Sequence, residues 1–246
     1  MTSTGVEIVG NDPTTNSLRD GNGFMRITRL RLLASDVSRS VSFFRDVLEL
    51  PAAGNSIQVG WSEIQLMPAV EDVPCGVHLA FNVPYVRFDA AVAWLKARAP
   101  LQRDTQDNDC FVHEGWQSRS VYFDGPDNAV LELIGRRRLE HPSGARPFGG
   151  ADLSCLSEVG VPSSDVEGTV AEAAWTIGVG TIGSASSSFA AIGDDEGVLI
   201  AVDPSRTWFP QHRQLPSARG LEIWVSGAKS PGTMSDADHG WKVRAR

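Results

Sequence analysis

RLRLLASDVSRSVSFF, running from Arg29 to Phe44, decides the reading of this chain. Leu30 and Leu32 alternate with Arg29 and Arg31, the period-two signature of a half-buried strand with both arginines on one face. Asp36 then stands where a helix needs an N-cap, and Val37, Val41, Phe44 and Leu48 recur at spacings of four, three and four. Strand, acidic cap and amphipathic helix follow one another within 20 or so residues. The plan is repeated: EVGVPSSDVEGTVAEA from Glu158 overlays it, with Ser164-Asp165-Val166 on Ser35-Asp36-Val37 and Val170 on Val41.

Working outward, Pro51 and Gly54 end the first helix, and 57–61 and 63–67 read as two strands. The order restarts with a strand at 77–83 and a helix through Phe88, Ala91, Val92 and Leu95, closed by Pro100. Strand-like runs at 118–123 and 129–134 flank Asp124-Gly-Pro-Asp-Asn128, a hairpin turn. After the third strand and helix, 189–193 and 198–202 pair around an acidic turn, and Gly220-Leu-Glu-Ile-Trp-Val225 imitates Gly76-Val-His-Leu-Ala-Phe81. The fold class expected is α+β, with repeated βαβββ modules forming curved mixed sheets around a ligand cup. The division expected is a disordered start (1–24), two modules (25–135), a linker (136–152), a partial second domain (153–225) and a flexible tail (226–246).

Composition narrows the function. With 246 residues the chain can bury a core without staples, and 22 Lys+Arg against 30 Asp+Glu give a net charge of −8 that repels polyphosphate and anionic lipid. Neither nucleic acid nor membrane is an expected partner; a small-molecule ligand is, on a monomer or homodimer. Cys75, Cys110 and Cys155 lie far apart, which suggests neither disulfides nor a zinc knuckle. No signal peptide or apolar run of membrane-spanning length is visible, so the expected location is cytoplasmic. GxSxG, P-loop and strand-following GxGxxG motifs are missing, and Thr176 to Gly183 reads as a loop after a helix. The tryptophans read first as core or inter-domain plugs.

The spacing of Ser35-Asp36-Val37, Phe43-Phe44 and Leu48-Glu49-Leu50, followed by Val121 to Asn128 and Leu131-Glu132-Leu133, resembles the vicinal-oxygen-chelate superfamily: glyoxalases, bleomycin-resistance proteins and extradiol dioxygenases. Glu49 stands where that family usually has Gly. The resemblance covers about 110 residues, and the third unit, with Trp208-Phe209-Pro210, is similar to a bacterial subgroup of two-domain proteins. It implies a metal site drawing one ligand from each of four strand positions, here Arg29, Gln65, His78 and Glu132. His78 and Glu132 are ordinary ligands for Zn²⁺, Fe²⁺, Mn²⁺ or Ni²⁺, and Gln65 offers a carbonyl oxygen. Arg29 has no lone pair and cannot ligate, so the metal site looks degenerate. Arg29 is therefore expected to contact Glu132 or a bound anion. His113 and Trp116, on a short polar loop, are expected at the cup mouth. Glu158 and Glu222 fall on the slots matching Arg29 and His78 in the third unit, without a closing-strand carboxylate, so no second metal site is expected there.

Three functions stay open at this point. One is a lyase, isomerase or dioxygenase with His78 and Glu132 on a divalent ion. A second is a metal-free binding or drug-sequestering protein of the bleomycin-resistance kind. The third is a metal-independent enzyme using His78 as base and Arg29 as anion clamp.

Overall fold

The computed structural model describes residues 24–70, 75–139 and 146–246. The expected disordered start, Phe24 apart, lies outside the described residues, as does the centre of the expected linker.

Four units follow one another, the first three built on a strand–helix–strand plan. The first comprises β1 (Arg26–Ala34), α1 (Val37–Asp46), β2 (Ala52–Ala53), β3 (Ser56–Val59) and β4 (Ser62–Pro68). The second comprises β5 (His78–Val83), α2 (Phe88–Lys96), β6 (Phe111–His113), β7 (Ser118–Asp124) and β8 (Val130–Arg136). The third has β9 (Cys155–Pro162), α3 (Val166–Thr176), β10 (Phe189–Asp194) and β11 (Gly197–Val202). The fourth has only strands, β12 (Glu222–Ser226), β13 (Gly232–Asp236) and β14 (Trp241–Ala245). The helix caps fall where the repeat puts them: Asp36 accepts from the Arg39 amide at 2.9 Å and Asp165 from the Gly168 amide at 2.8 Å. Glu49 takes φ +53°, a left-handed backbone that a side chain strains. Its carboxylate offsets this by accepting from Arg98 at 2.5 Å and from the Trp94 indole at 3.2 Å.

Two seven-stranded mixed sheets result, ordered β13-β14-β12-β1-β4-β3-β2 and β10-β11-β9-β5-β8-β7-β6. Within a unit the first and last strands lie side by side and parallel, as β1 with β4 and β5 with β8. Units then join antiparallel through their first strands, β1 to β12 and β5 to β9. The first unit thus shares its sheet with the fourth, and the second with the third; the first two do not share a sheet, whereas the expected four-slot cup needed strands of both. One apolar cluster, with Leu30, Leu66, Phe44, Leu79, Phe81, Phe123, Leu156 and Val159 among its members, fills the space between the sheets. Ser62 ties them: its hydroxyl donates to the Ile27 carbonyl (2.6 Å) and accepts from the Leu156 amide (3.1 Å).

The tail expected after Val225 is ordered as β13 and β14. Met234, Trp241, Val243 and Ala245 are buried, and the Trp241 indole donates to the Pro162 carbonyl at 2.7 Å. A buried alternating strand supplies the apolar surface that the Gly- and Ser-rich approach to it lacks. Among the described residues no helix is long and apolar enough to cross a membrane.

The cysteines occupy three environments: Cys75 is exposed, Cys110 half-buried and Cys155 buried. Burial pushes the Cys155 thiol up to about 12. Titration of the native protein with Ellman's reagent is expected to label Cys75 first and to reach Cys155 only in denaturant, since the thiolate is the reacting species. Rapid native labelling of all three would contradict the packing of β9.

Candidate functional site

On β5 the pleat sends Leu79 and Phe81 into the core between the sheets and leaves His78 on the opposite face. β8 does the same with Leu131 and Leu133 inward, so Glu132 and Ile134 line that opposite face with His78. β9 reaches it by a bulge. Glu158 lies opposite Ala80 but Leu156 opposite Phe81, a one-residue slip at Ser157 that lets both Leu156 and Val159 stay in the core while Glu158 turns to the cavity. The three side chains are almost fully buried, with His78 5 %, Glu132 3 % and Glu158 3 % exposed.

His78 Nε2 lies 3.5 Å from Glu132 Oε2 and 3.7 Å from Glu158 Oε2, and one ligand atom from each residue falls within 4.8 Å of the others. These separations are longer than hydrogen bonds. The two distances from His78 suit donors around a shared cation: ligand bonds of ~2.0–2.2 Å in a tetrahedral set put donors about 3.3–3.6 Å apart. The imidazole is oriented for this. Its Nδ1 is 3.1 Å from the Val130 carbonyl, the contact that assigns the proton to Nδ1 and leaves the Nε2 lone pair facing the carboxylates. Trp208 packs on the ring with centroids 4.8 Å apart, and its own indole donates to the Gly76 carbonyl at 2.7 Å. Gly160 makes room: a Cβ there would stand 2.7 Å from the Trp208 ring.

Behind the triad, fully buried Arg136 at the end of β8 donates from Nη2 to Glu158 Oε1 and lies 3.6 Å from Asp195, which Arg138 also holds at 2.7 and 2.8 Å. Burial raises the Glu132 carboxyl, with the Glu158 charge adding to it, to about 7. Burial also acts to raise Glu158, but the Arg136 charge and the His78 contact outweigh it and leave that carboxyl low. For His78 burial opposes protonation and the two carboxylates overcome it, so its pKa is raised. Burial, reinforced by the same carboxylates, drives the Tyr122 phenol well up, so it stays protonated. His113 is lowered by burial and remains neutral.

The triad forms the floor of a cavity of about 350 Å³ walled by Tyr122, Ile134, Phe189, Ile200, Trp208 and Phe209. His113 and Trp116 line it too, so four of the six residues that the sequence assigned to one cup, His78, Glu132, His113 and Trp116, line this cavity. Arg29 and Gln65 do not. Both sit in the other sheet, where Arg29 pairs with Glu63 at 2.9 Å and its guanidinium lies 5.8 Å from the Trp224 ring, its side chain half exposed. Arg29 therefore contacts neither Glu132 nor this cavity. Glu222 is likewise on the first sheet, paired with Arg31 at 3.4 Å and Arg244 at 3.6 Å. Glu158 is the ligand candidate that the sequence noted but assigned to a different site; Tyr122, Arg136 and Arg206 went unnoticed. The meeting of His78 and Glu158 becomes visible only once the antiparallel pairing of β5 and β9 is known.

No protein-family model matches the sequence, and no curated protein matches it significantly. Solved structures do match. A point mutant of glyoxalase I from Zea mays is 13% identical over 90% of this chain and 93% of that one, with a TM-score of 0.56. Glyoxalase I itself from Zea mays gives 14% identity, 90% and 92% coverage and a TM-score of 0.54. A provisionally assigned dioxygenase from Bacillus subtilis gives 13% identity, 92% and 86% coverage and a TM-score of 0.57. At these identities the likeness shows the fold alone, a glyoxalase-I-like arrangement of curved mixed sheets.

Proposed function

We propose that the chain is a metal-dependent enzyme of the glyoxalase and dioxygenase kind, acting on a small molecule in the cavity floored by His78, Glu132 and Glu158. The observation that carries this reading is the convergence of three buried ligating groups, spaced for a shared cation, at the closed end of an aromatic-walled cavity. One imidazole with two carboxylates suits Mn²⁺, Fe²⁺, Ni²⁺ or Zn²⁺ and, lacking thiolate, none of the softer ions. Bound there, the ion would supply Lewis acidity to the oxygens of the ligand, which is the chemistry of a lyase, isomerase or dioxygenase.

The chain's own residues have separable parts in this reading. Arg136 occupies Glu158 Oε1 and so leaves Oε2 as the free donor. Tyr122, protonated and beside Glu132, offers a hydrogen bond to a ligand oxygen. His113, neutral on the cavity wall, can accept a proton. The position of Arg29 on the other sheet also supports the reading, because a permanent cation at the first-strand slot argued for a metal-free protein.

The test is elemental analysis of untagged protein purified without chelator. About one equivalent of a first-row divalent metal per chain is expected, as isolated or after reconstitution with Mn²⁺, Fe²⁺, Ni²⁺ and Zn²⁺ in turn. Retention of none of the four would return the metal-free binding protein to first place.

A further inference from the structure

We propose that the ligand of this cavity is a planar aromatic anion, its ring against the Phe189, Trp208 and Phe209 walls and its acid group turned outward onto Arg206. The inference rests on the cavity being the ligand site and adds the chemical class of the ligand.

Size comes first. About 350 Å³ stands at the lower end of the ~300–1,000 Å³ typical of ligand cavities, which leaves room for one or two rings but not for a peptide conjugate. The walls fix the shape. Phe209 meets Tyr122 edge-on at 5.4 Å, Phe189 stands 6.1 Å from Trp116, and Trp208 covers His78, so flat apolar surfaces face the space from several sides. Such surfaces favour a ring in offset or edge contact over an aliphatic chain of equal area.

Charge fixes the orientation. Arg206 lines the cavity, is exposed, and lies 4.7 Å over the Phe189 ring. Arg26, Arg87, Arg98 and Arg119 also lie over aromatic rings, and each of them pairs with a carboxylate. Arg206 pairs with none among the described residues. A chain of net charge −8 thus presents a free guanidinium beside a cavity whose floor holds two carboxylates against one arginine. With no cation on the floor an anionic group is pushed from it, and with or without one it is drawn to Arg206, whose planar fork suits a carboxylate. Thr207 Oγ1 and His212 Nδ1, 3.2 Å apart, lie alongside as neutral hydrogen-bonding groups.

The probes are 1-naphthoate and its neutral isostere 1-naphthamide, titrated by calorimetry and tryptophan fluorescence into protein as isolated and after EDTA treatment. Naphthoate is expected to bind roughly tenfold more tightly than naphthamide. Arg206→Gln should abolish that preference, costing naphthoate much more than naphthamide, and Phe189→Leu should weaken both. Equal affinity for the two probes, a preference that survives Arg206→Gln, or no binding of either overturns the proposal. Because the chelated arm contains no metal, a negative elemental analysis would leave a positive naphthoate result standing. Full metal content with no naphthoate preference would sink only this inference.

Discussion

Glu158→Gln and His78→Ala are each expected to weaken Mn²⁺ and Zn²⁺ binding at least about a hundredfold, since even outer-shell substitutions cost ~10–100-fold. Both are to be measured by competition against a chromophoric chelator. The Glu158 variant is the sharper of the two, because its effect depends on β9 lying beside β5 with the bulge at Ser157. Arg29→His should change nothing, as Arg29 belongs to the first sheet and faces Glu63. The sheet register makes a matching gain available. Glu132 lies opposite Ala80, two residues beyond His78, and Ile200 lies opposite Gly160, two residues beyond Glu158. Ile200, already on the cavity wall, therefore occupies the place on β11 that Glu132 occupies on β8. Ile200→His should add a fourth ligand and tighten metal binding. Unchanged affinity in Glu158→Gln together with a gain in Arg29→His would show that the first two units share the cup after all.

The unit-level plan was legible because it is local. Asp36 and Asp165 cap helices through amides three residues away, and the apolar spacing that follows each is set within a dozen residues. Pairing between units was not legible, because every first strand carries the same alternation and β1 would fit β5 as well as β12 by pattern alone. That is why His78 and Glu132, drawn from one unit, lie together, whereas Arg29 and Gln65, borrowed from another, lie on the other sheet. Glu158 needed two facts hidden in the sequence: its strand's partner and the slip at Ser157. The last strand is a different lesson. Trp241, Val243 and Ala245 alternate with Lys242 and Arg244, a period-two run overlooked behind the Gly- and Ser-rich stretch before it.

Arg136→Met should destabilise the fold by about 3–5 kcal/mol, the range for breaking one partner out of a buried ion pair. Arg136 is fully buried and pairs directly with Glu158, whereas Asp195, its other acidic neighbour, keeps Arg138 at 2.7 Å. The carboxylate stranded by the substitution is thus Glu158 alone, and urea melts at pH 7 should show the midpoint fall without a change in slope. Two further arms separate this cause from mere loss of packing. Arg136→Met combined with Glu158→Leu should recover most of the loss, because replacing both ends of a buried pair by apolar groups is often neutral or stabilising. Adding Zn²⁺ or Mn²⁺ to the single variant should raise its midpoint more than it raises that of the native protein. A dication beside Glu158 neutralises the charge that Arg136 no longer balances, and any ion that binds only the folded state stabilises it in proportion to its occupancy. A double variant as unstable as the single one, with no response to metal, would mean that the arginine acts through volume and that its charge has no part in holding the triad.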